Sequence, residues 1–157
     1  RVPVERTQHD AATEAEAQDV TRLPVPRSTT MKIPGLQLDV NAADVDWRAT
    51  NSPGVFWFLL ASEATDEAKG AGAGGTVLIR MQPGCGYPPH EHLDVEEVLV
   101  LAGGYRDACG TYETGAYVRY PKGSVHAPVA LGEPDAGHPD CILYASARGG
   151  ISPVETP

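Results

Sequence analysis

Basic residues are scarce: 12 Lys and Arg stand against 21 Asp and Glu, for a formal net charge of -9. A chain so charged repels phosphate backbones and anionic lipid surfaces, and no Lys/Arg block interrupts the balance, so nucleic acid and membranes are poor partners. Long hydrophobic runs are missing too. The longest, Val55-Phe-Trp-Phe-Leu-Leu-Ala61, is as long as a strand and far too short for a membrane-spanning helix. There are only three cysteines, Cys85, Cys109 and Cys141. An odd number without close pairing fits a reducing cytoplasm better than a disulfide framework, and Cys109 and Cys141 read as packing residues. No secretory signal is visible, although a chain beginning at Arg1 could have lost a leader or tag.

What the sequence does have is turns. Its 17 Gly and 14 Pro punctuate short apolar segments, and 157 residues suffice for one domain with a proper core. Period-two alternation predicts strands at Leu36–Val40, Val55–Ala61, Thr76–Met81, Tyr87–His92, Glu97–Leu101, Tyr105–Asp107, Thr111–Tyr112, Ala116–Tyr120, Val125–Val129 and Cys141–Ser146. Many short strands and no long amphipathic helix describe an all-β sandwich or barrel. The glycine run from Ala68 to Gly75 lacks a following Lys-Ser/Thr and reads as a hairpin tip rather than a phosphate loop. Residues 1–30 form a charged, Ala-rich arm, with a short solvated helix at Thr13–Asp19, and residues 31–157 form the single domain. So charged an arm has little apolar surface to bury on its own barrel, and it is expected to contact a second subunit.

The chemistry gathers in Gly84-Cys-Gly-Tyr-Pro-Pro-His90-Glu-His92-Leu-Asp-Val-Glu96-Glu97 and in Pro121-Lys-Gly123-Ser-Val-His126. Alternate residues of a strand share a face, about 7 Å apart, so His90 and His92 can direct two imidazoles at one ion. Glu96 adds a carboxylate and His126 a third imidazole. Imidazole plus carboxylate suits divalent iron, nickel, manganese, copper or zinc, and a set without cysteine argues against a structural zinc site. Counting by two, Val98 and Val100 should face inward with Glu96, and Pro128 with His126. Arg80, Tyr87, Tyr105, Arg119 and Tyr144 are candidates to orient a substrate, with Tyr87 and Arg80 carried as catalytic candidates beside Glu96. Trp57 and its flanking phenylalanines read as core.

These two segments resemble the paired signature of the cupin superfamily. The first half, G-x5-H-x-H-x3-E-x6-G, is met by Gly84, His90, His92, Glu96 and Gly103. The second, G-x5-P-x-G-x2-H-x3-N, is met by Gly115, Pro121, Gly123 and His126, with Ala130 in place of the final Asn. The run from Glu96 to Pro128 looks like the ChrR-type branch, which includes the C-terminal domain of ChrR anti-sigma factors and small iron dioxygenases that resemble acetylacetone and 2,4'-dihydroxyacetophenone dioxygenases. The resemblance implies a double-stranded β-helix, the jelly-roll or RmlC-like fold, with an N-terminal arm. It implies one divalent metal, Fe(II) favoured over Zn, Ni or Mn, on His90, His92, Glu96 and His126. Glu97 competes with Glu96 for the carboxylate position, fitting an x4 variant that ends at Gly104, and the ChrR-type spacing favours Glu96.

By the same resemblance, the expected activity is cleavage of a small diketone or hydroxyketone with dioxygen, by a cytoplasmic homodimer. Four ligands on a six-coordinate ion leave two positions for substrate and oxygen. Two rival readings use the same ligands: a non-catalytic metal-binding sensor related to the anti-sigma domain, and a metal-dependent isomerase or lyase. The anti-sigma reading calls for a zinc-bound helical domain ahead of the cupin, where this chain offers only His9 before Cys85.

Overall fold

The structure is a computed structural model that describes residues 45–62 and 74–154 in full and residues 29–32 as backbone. The described residues form thirteen strands and no helix: β1 (Thr29–Lys32), β2 (Arg48–Ala49), β3 (Val55–Ser62), β4 (Gly75–Met81), β5 (His90–His92), β6 (Glu96–Ala102), β7 (Gly104–Asp107), β8 (Gly110–Glu113), β9 (Ala116–Tyr120), β10 (Val125–His126), β11 (Val129–Ala130), β12 (Cys141–Ala147) and β13 (Ile151–Pro153). No helix among them is long and apolar enough to cross a membrane. The expected strand at Leu36–Val40 and the helix at Thr13–Asp19 lie outside the described residues.

Antiparallel pairing builds one seven-stranded sheet in the order β1-β9-β6-β12-β4-β3-β2 and two three-stranded sheets, β10-β5-β13 and β11-β7-β8. The fold is the all-β jelly roll. Alternation along the strands explains how the layers meet. In β6 the pattern sends Glu96, Val98 and Val100 inward. The two valines join Met81, Val118, Leu143 and Ala145 of the large sheet against Tyr105, Tyr112 and Ala130 of a small one, in a single core.

The strand readings fail where proline or an edge intervenes. The expected strand Tyr87–His92 shortens to His90–His92 because Pro88 and Pro89 have no N–H to give a ladder. Val125–Val129 splits into β10 and β11 around Ala127-Pro128. Phe56, Trp57 and Phe58 are half-buried rather than core, and of β3 only Val55 enters the core. Their strand lies beside the two-residue edge strand β2, and guanidinium groups cover two of the rings: Arg48 over Trp57 at 5.7 Å and Arg80 over Phe56 at 5.3 Å. Cys141 is core as expected, but Cys109 is exposed at the tip of the β7–β8 hairpin. Ser62 pairs with Gly75, so the glycine run does join a hairpin, although residues 63–73 lie outside the described set. The arm boundary expected at residue 30 falls inside β1, whose strand pairs with β9.

Candidate metal centre

Two short strands carry the histidines. β10 pairs with β5 so that His126 lies directly opposite His90. The ladder continues past the strand ends, where the His92 N–H donates to the Ser124 carbonyl at 3.0 Å and the Gly123 N–H to the His92 carbonyl at 2.8 Å. Across the sandwich, β6 presents Glu96. His90, His92, Glu96 and His126 retain only 5, 0, 6 and 6 % of their surface, so water can satisfy almost none of their polar atoms. One donor atom from each lies within 4.8 Å of all the others. Donors about 2.1 Å from a shared ion lie at most about 4.2 Å apart, so little adjustment is needed to gather them.

Each imidazole's outer nitrogen has a partner that fixes which nitrogen carries the proton. His90 Nδ1 is 2.9 Å from the Pro88 carbonyl, which can only accept, so His90 donates from Nδ1. Ser124 Oγ gives its hydrogen to the Pro121 carbonyl at 2.6 Å and therefore accepts from His92 Nδ1 at 2.9 Å. His126 Nδ1 donates to the Asp107 carboxylate at 3.1 Å. Each ring, donating from Nδ1, thus turns its Nε2 inward, a bare lone pair whenever the ring is neutral.

Those lone pairs have nothing adequate to meet. The Nε2 atoms of His90 and His126 stand 3.0 Å apart. Burial lowers the pKa of His90 from 6.5 to about 4, more than its bond to the Pro88 carbonyl raises it, so at neutral pH the His90 ring is neutral and, with its one proton on Nδ1, offers none to that contact. His92 Nε2 lies 3.0 Å from Glu96 Oε2, yet it is buried without a hydrogen-bond partner. An orphaned buried polar atom costs about 1–3 kcal/mol. Burial pushes the Glu96 carboxyl up, while a proton on His92, which would then be donated to it, and positive charge on His92, His126 or His90 pull it below the ordinary value, so the fourth donor is a carboxylate. Three converging lone pairs and one anion fit a divalent cation, and a nitrogen- and oxygen-only set suits iron, nickel, manganese or zinc.

Behind His126 stands a hydrogen-bonded chain that the sequence reading missed. Tyr120 donates to Asp107 Oδ2 at 2.6 Å, and Tyr105 in turn donates to Tyr120 at 2.8 Å. The ring of Tyr120 packs on His126 and His92, with centroids 4.2 and 5.1 Å away. Burial, above all, raises the pKa of both tyrosines, which stay protonated. Asp107 is pushed up by burial but held below its ordinary value by the bonds from His126, Tyr120 and the Cys109 N–H.

The other candidates divide. Tyr87 meets the edge of the His90 ring, centroids 5.3 Å apart, and stays beside the centre. Arg80 does not. Its neighbours Val77, Ile79 and Met81 face the core, so alternation turns Arg80 to the outer face, where it pairs with Asp140. Arg119 and Tyr144 are likewise exposed on the outer face of the large sheet, and Tyr105 is buried in the core. Glu97 also points out and accepts a hydrogen bond from Tyr117. Val98, Val100 and Pro128 are buried as expected. Ala130, which replaces the motif's Asn, is a buried core residue far from the ligand role. A cleft of about 390 Å³ lined by Gly103, Gly104, Glu113, Thr114, Leu131, Gly132, His138 and Pro139 shares no residue with the four-residue centre.

A jelly roll with a buried three-His, one-Glu cluster on these strands defines a cupin with a candidate metal centre. The chain belongs to the ChrR Cupin-like domain family, whose model matches residues 37–137. Its structure is similar to that of Rhodobacter sphaeroides SigE in complex with the anti-sigma ChrR, at 28% identity and a TM-score of 0.53, covering 68% of this chain and 50% of that one. The chain therefore spans half the length of that relative. An RmlC-like cupin protein from Ralstonia eutropha is similar at 19% identity and a TM-score of 0.55, covering 76% and 73% of the two chains. An acetylacetone dioxygenase from Acinetobacter johnsonii is similar at 16% identity and a TM-score of 0.52, covering 98% and 85%. These two likenesses concern the fold. No curated protein matches the chain.

Proposed function

We propose that His90, His92, Glu96 and His126 hold one divalent metal ion and that the protein uses it, as Fe(II), to cleave a small diketone or hydroxyketone with dioxygen. The observation that carries the metal is the convergence of three Nε2 lone pairs, one of them orphaned, on a buried carboxylate. Bound there, the ion would supply Lewis-acid activation and, if iron, one-electron chemistry with oxygen. The chain's own residues would orient and insulate. Asp107, Ser124 and the Pro88 carbonyl hold the three imidazoles in place, Tyr120 and the core valines would exclude water, and Tyr87, whose ring meets that of His90, would contact the substrate. Arg80, on the outer face, is left without a substrate role in this scheme. Support for the ketone reading comes from the fold shared with the A. johnsonii acetylacetone dioxygenase over nearly the whole chain.

One observation favours a second reading, a metal-binding sensor without turnover: the family model and the 28%-identical likeness to the SigE–ChrR complex both point to the anti-sigma branch. Metal analysis of protein purified without a chelating tag, followed by oxygen uptake with the Fe(II) protein on a panel of diketones and hydroxyketones, separates the two. Consumption of about one equivalent of oxygen with carboxylate products supports the enzyme. Native zinc, and no uptake after iron reconstitution, supports the sensor. The proposal extends to a cytoplasmic homodimer in which residues 1–26 contact the partner subunit. A full chain that sediments as a monomer at high concentration would remove that part.

A further inference from the structure

Asp107 occupies an unusual position for a turn residue. It closes the β7–β8 hairpin in the run Asp107-Ala-Cys109-Gly110, where an aspartate ordinarily spends its carboxylate on nearby backbone N–H groups. One oxygen does that: Oδ1 accepts from the N–H groups of Cys109 at 2.7 Å and Gly110 at 3.1 Å. The other does not. Oδ2 turns inward, fully buried, and accepts from Tyr120 at 2.6 Å and from His126 Nδ1 at 3.1 Å. Four donors saturate the carboxylate, and each oxygen is committed to its own side.

We propose that Asp107 is the positioning residue that locks His126 into the Nδ1–H tautomer, and so keeps its Nε2 lone pair available to a metal ion, while its other oxygen ties that lock to the hairpin turn. This rests on the metal reading above for its purpose but not for its geometry. The three histidines differ in this respect. His90 and His92 are oriented by uncharged groups, a carbonyl and a hydroxyl, whereas His126 alone is held by a charge. A carboxylate cannot donate, so only one tautomer of His126 satisfies it. The two turn N–H groups on Oδ1 fix the carboxylate's rotation, and Tyr120, which accepts from Tyr105, adds a second donor to Oδ2 beside His126.

The shape-matched amide makes the test sharp. In D107N the oxygen on the turn side must stay an acceptor for two backbone N–H groups, so the amide nitrogen takes the place of Oδ2. It then donates to His126 Nδ1, which must be bare, and the ring's proton moves to Nε2, where it blocks the metal. Tyr120→Phe removes one donor and leaves the carboxylate in place. The readout is the tautomer of His126 in metal-free protein labelled with ¹⁵N-histidine, together with Zn(II) affinity measured by chelator competition. Wild type and Y120F should show the proton on Nδ1 and D107N on Nε2. D107N should bind Zn(II) about 10–100-fold more weakly, the usual cost of losing a group that orients a ligand, with Y120F within a few-fold of wild type.

A D107N protein that keeps Nδ1–H, or keeps the wild-type zinc affinity, overturns the proposal. Should D107N not fold, the wild-type spectrum still decides, since a wild-type His126 protonated on Nε2 overturns it equally. If wild type binds no zinc, iron, nickel or manganese at all, the metal reading fails while the tautomer result still tests the role of Asp107.

Discussion

Replacing Glu96 by Gln should remove most of the stability that a divalent ion gives, and replacing Glu97 by Gln should not. The two residues are adjacent in β6 and face opposite ways. Glu96 is buried 3.0 Å from His92 Nε2 and 3.7 Å from His126 Nε2, whereas Glu97 accepts from Tyr117 on the outer face. An ion held at a hundred times its dissociation constant stabilises the fold by about 2.7 kcal/mol, or roughly 5–11 °C in Tm for a chain of this size. A unit charge pair 4 Å apart at an effective dielectric constant near 20 interacts by about 4 kcal/mol. Neutralising Glu96 beside a divalent ion should therefore weaken binding at least about a hundredfold. At the same ion concentration about 0.4 kcal/mol of the gain would remain, some 1–2 °C. Glu97→Gln weakens one partly exposed hydrogen bond, a loss of about 1 kcal/mol that lowers the metal-free and metal-loaded Tm equally. Thermal unfolding of each variant with and without the ion, alongside metal content by mass spectrometry, gives the difference directly. If Glu97→Gln loses the metal-dependent gain while Glu96→Gln keeps it, the strand's inward face has been assigned to the wrong parity and the candidate centre falls.

Two further outcomes follow from burial. In the metal-free protein His90 has a folded pKa of about 4 against 6.5 in the unfolded chain, so between those values the unfolded state binds more protons. Its contribution to stability is full above pH 6.5 and is lost as the pH falls toward 4; the Tm of metal-free wild type should drop across that window more than that of His90→Gln, and parallel curves would refute the assignment. Burial pushes the Cys141 thiol up to about 12, while Cys109 is exposed, so a thiol reagent followed by peptide mass mapping should mark Cys109 in the native protein and Cys141 only after unfolding.

What the sequence made legible was whatever depends on residue type at a fixed spacing. The four donors and the inward valines of β6 could be read because alternation on a strand maps spacing onto a face, and the structure keeps that alternation. Arg80 was legible in principle, since Val77, Ile79 and Met81 on alternate positions send it outward, but its chemical type drew it toward the site. Phe56-Trp-Phe58 was not, because a continuous apolar run carries no parity and nothing in it marks a strand beside an edge. Asp107 was hidden for a different reason: in Asp-Ala-Cys-Gly it reads as a turn former, and its second oxygen finds His126 only through a pairing across 19 residues.

The motif glycines lie between these cases, and they carry the last prediction. Gly84, Gly103, Gly115 and Gly123 all have positive φ, at 73, 62, 86 and 76°, so the signature records turns that L-residues adopt at a cost. The letter G does not say how much room each turn has. At Gly123 an added Cβ would meet nothing nearer than Glu91 Oε1 at 4.0 Å, so Gly123→Ala should cost only the backbone term, about 1–2 kcal/mol. At Gly103 the same atom would stand 2.6 Å from the Asp140 carbonyl oxygen and 3.0 Å from Cys141 Cα, both backbone, so the turn between β6 and β7 must shift against β12. Gly103→Ala should therefore destabilise by clearly more than Gly123→Ala in denaturant unfolding, although their φ values differ by little. Equal losses would mean that strain in φ alone explains the motif, and that the close packing of β6, β7 and β12 around Gly103 contributes nothing.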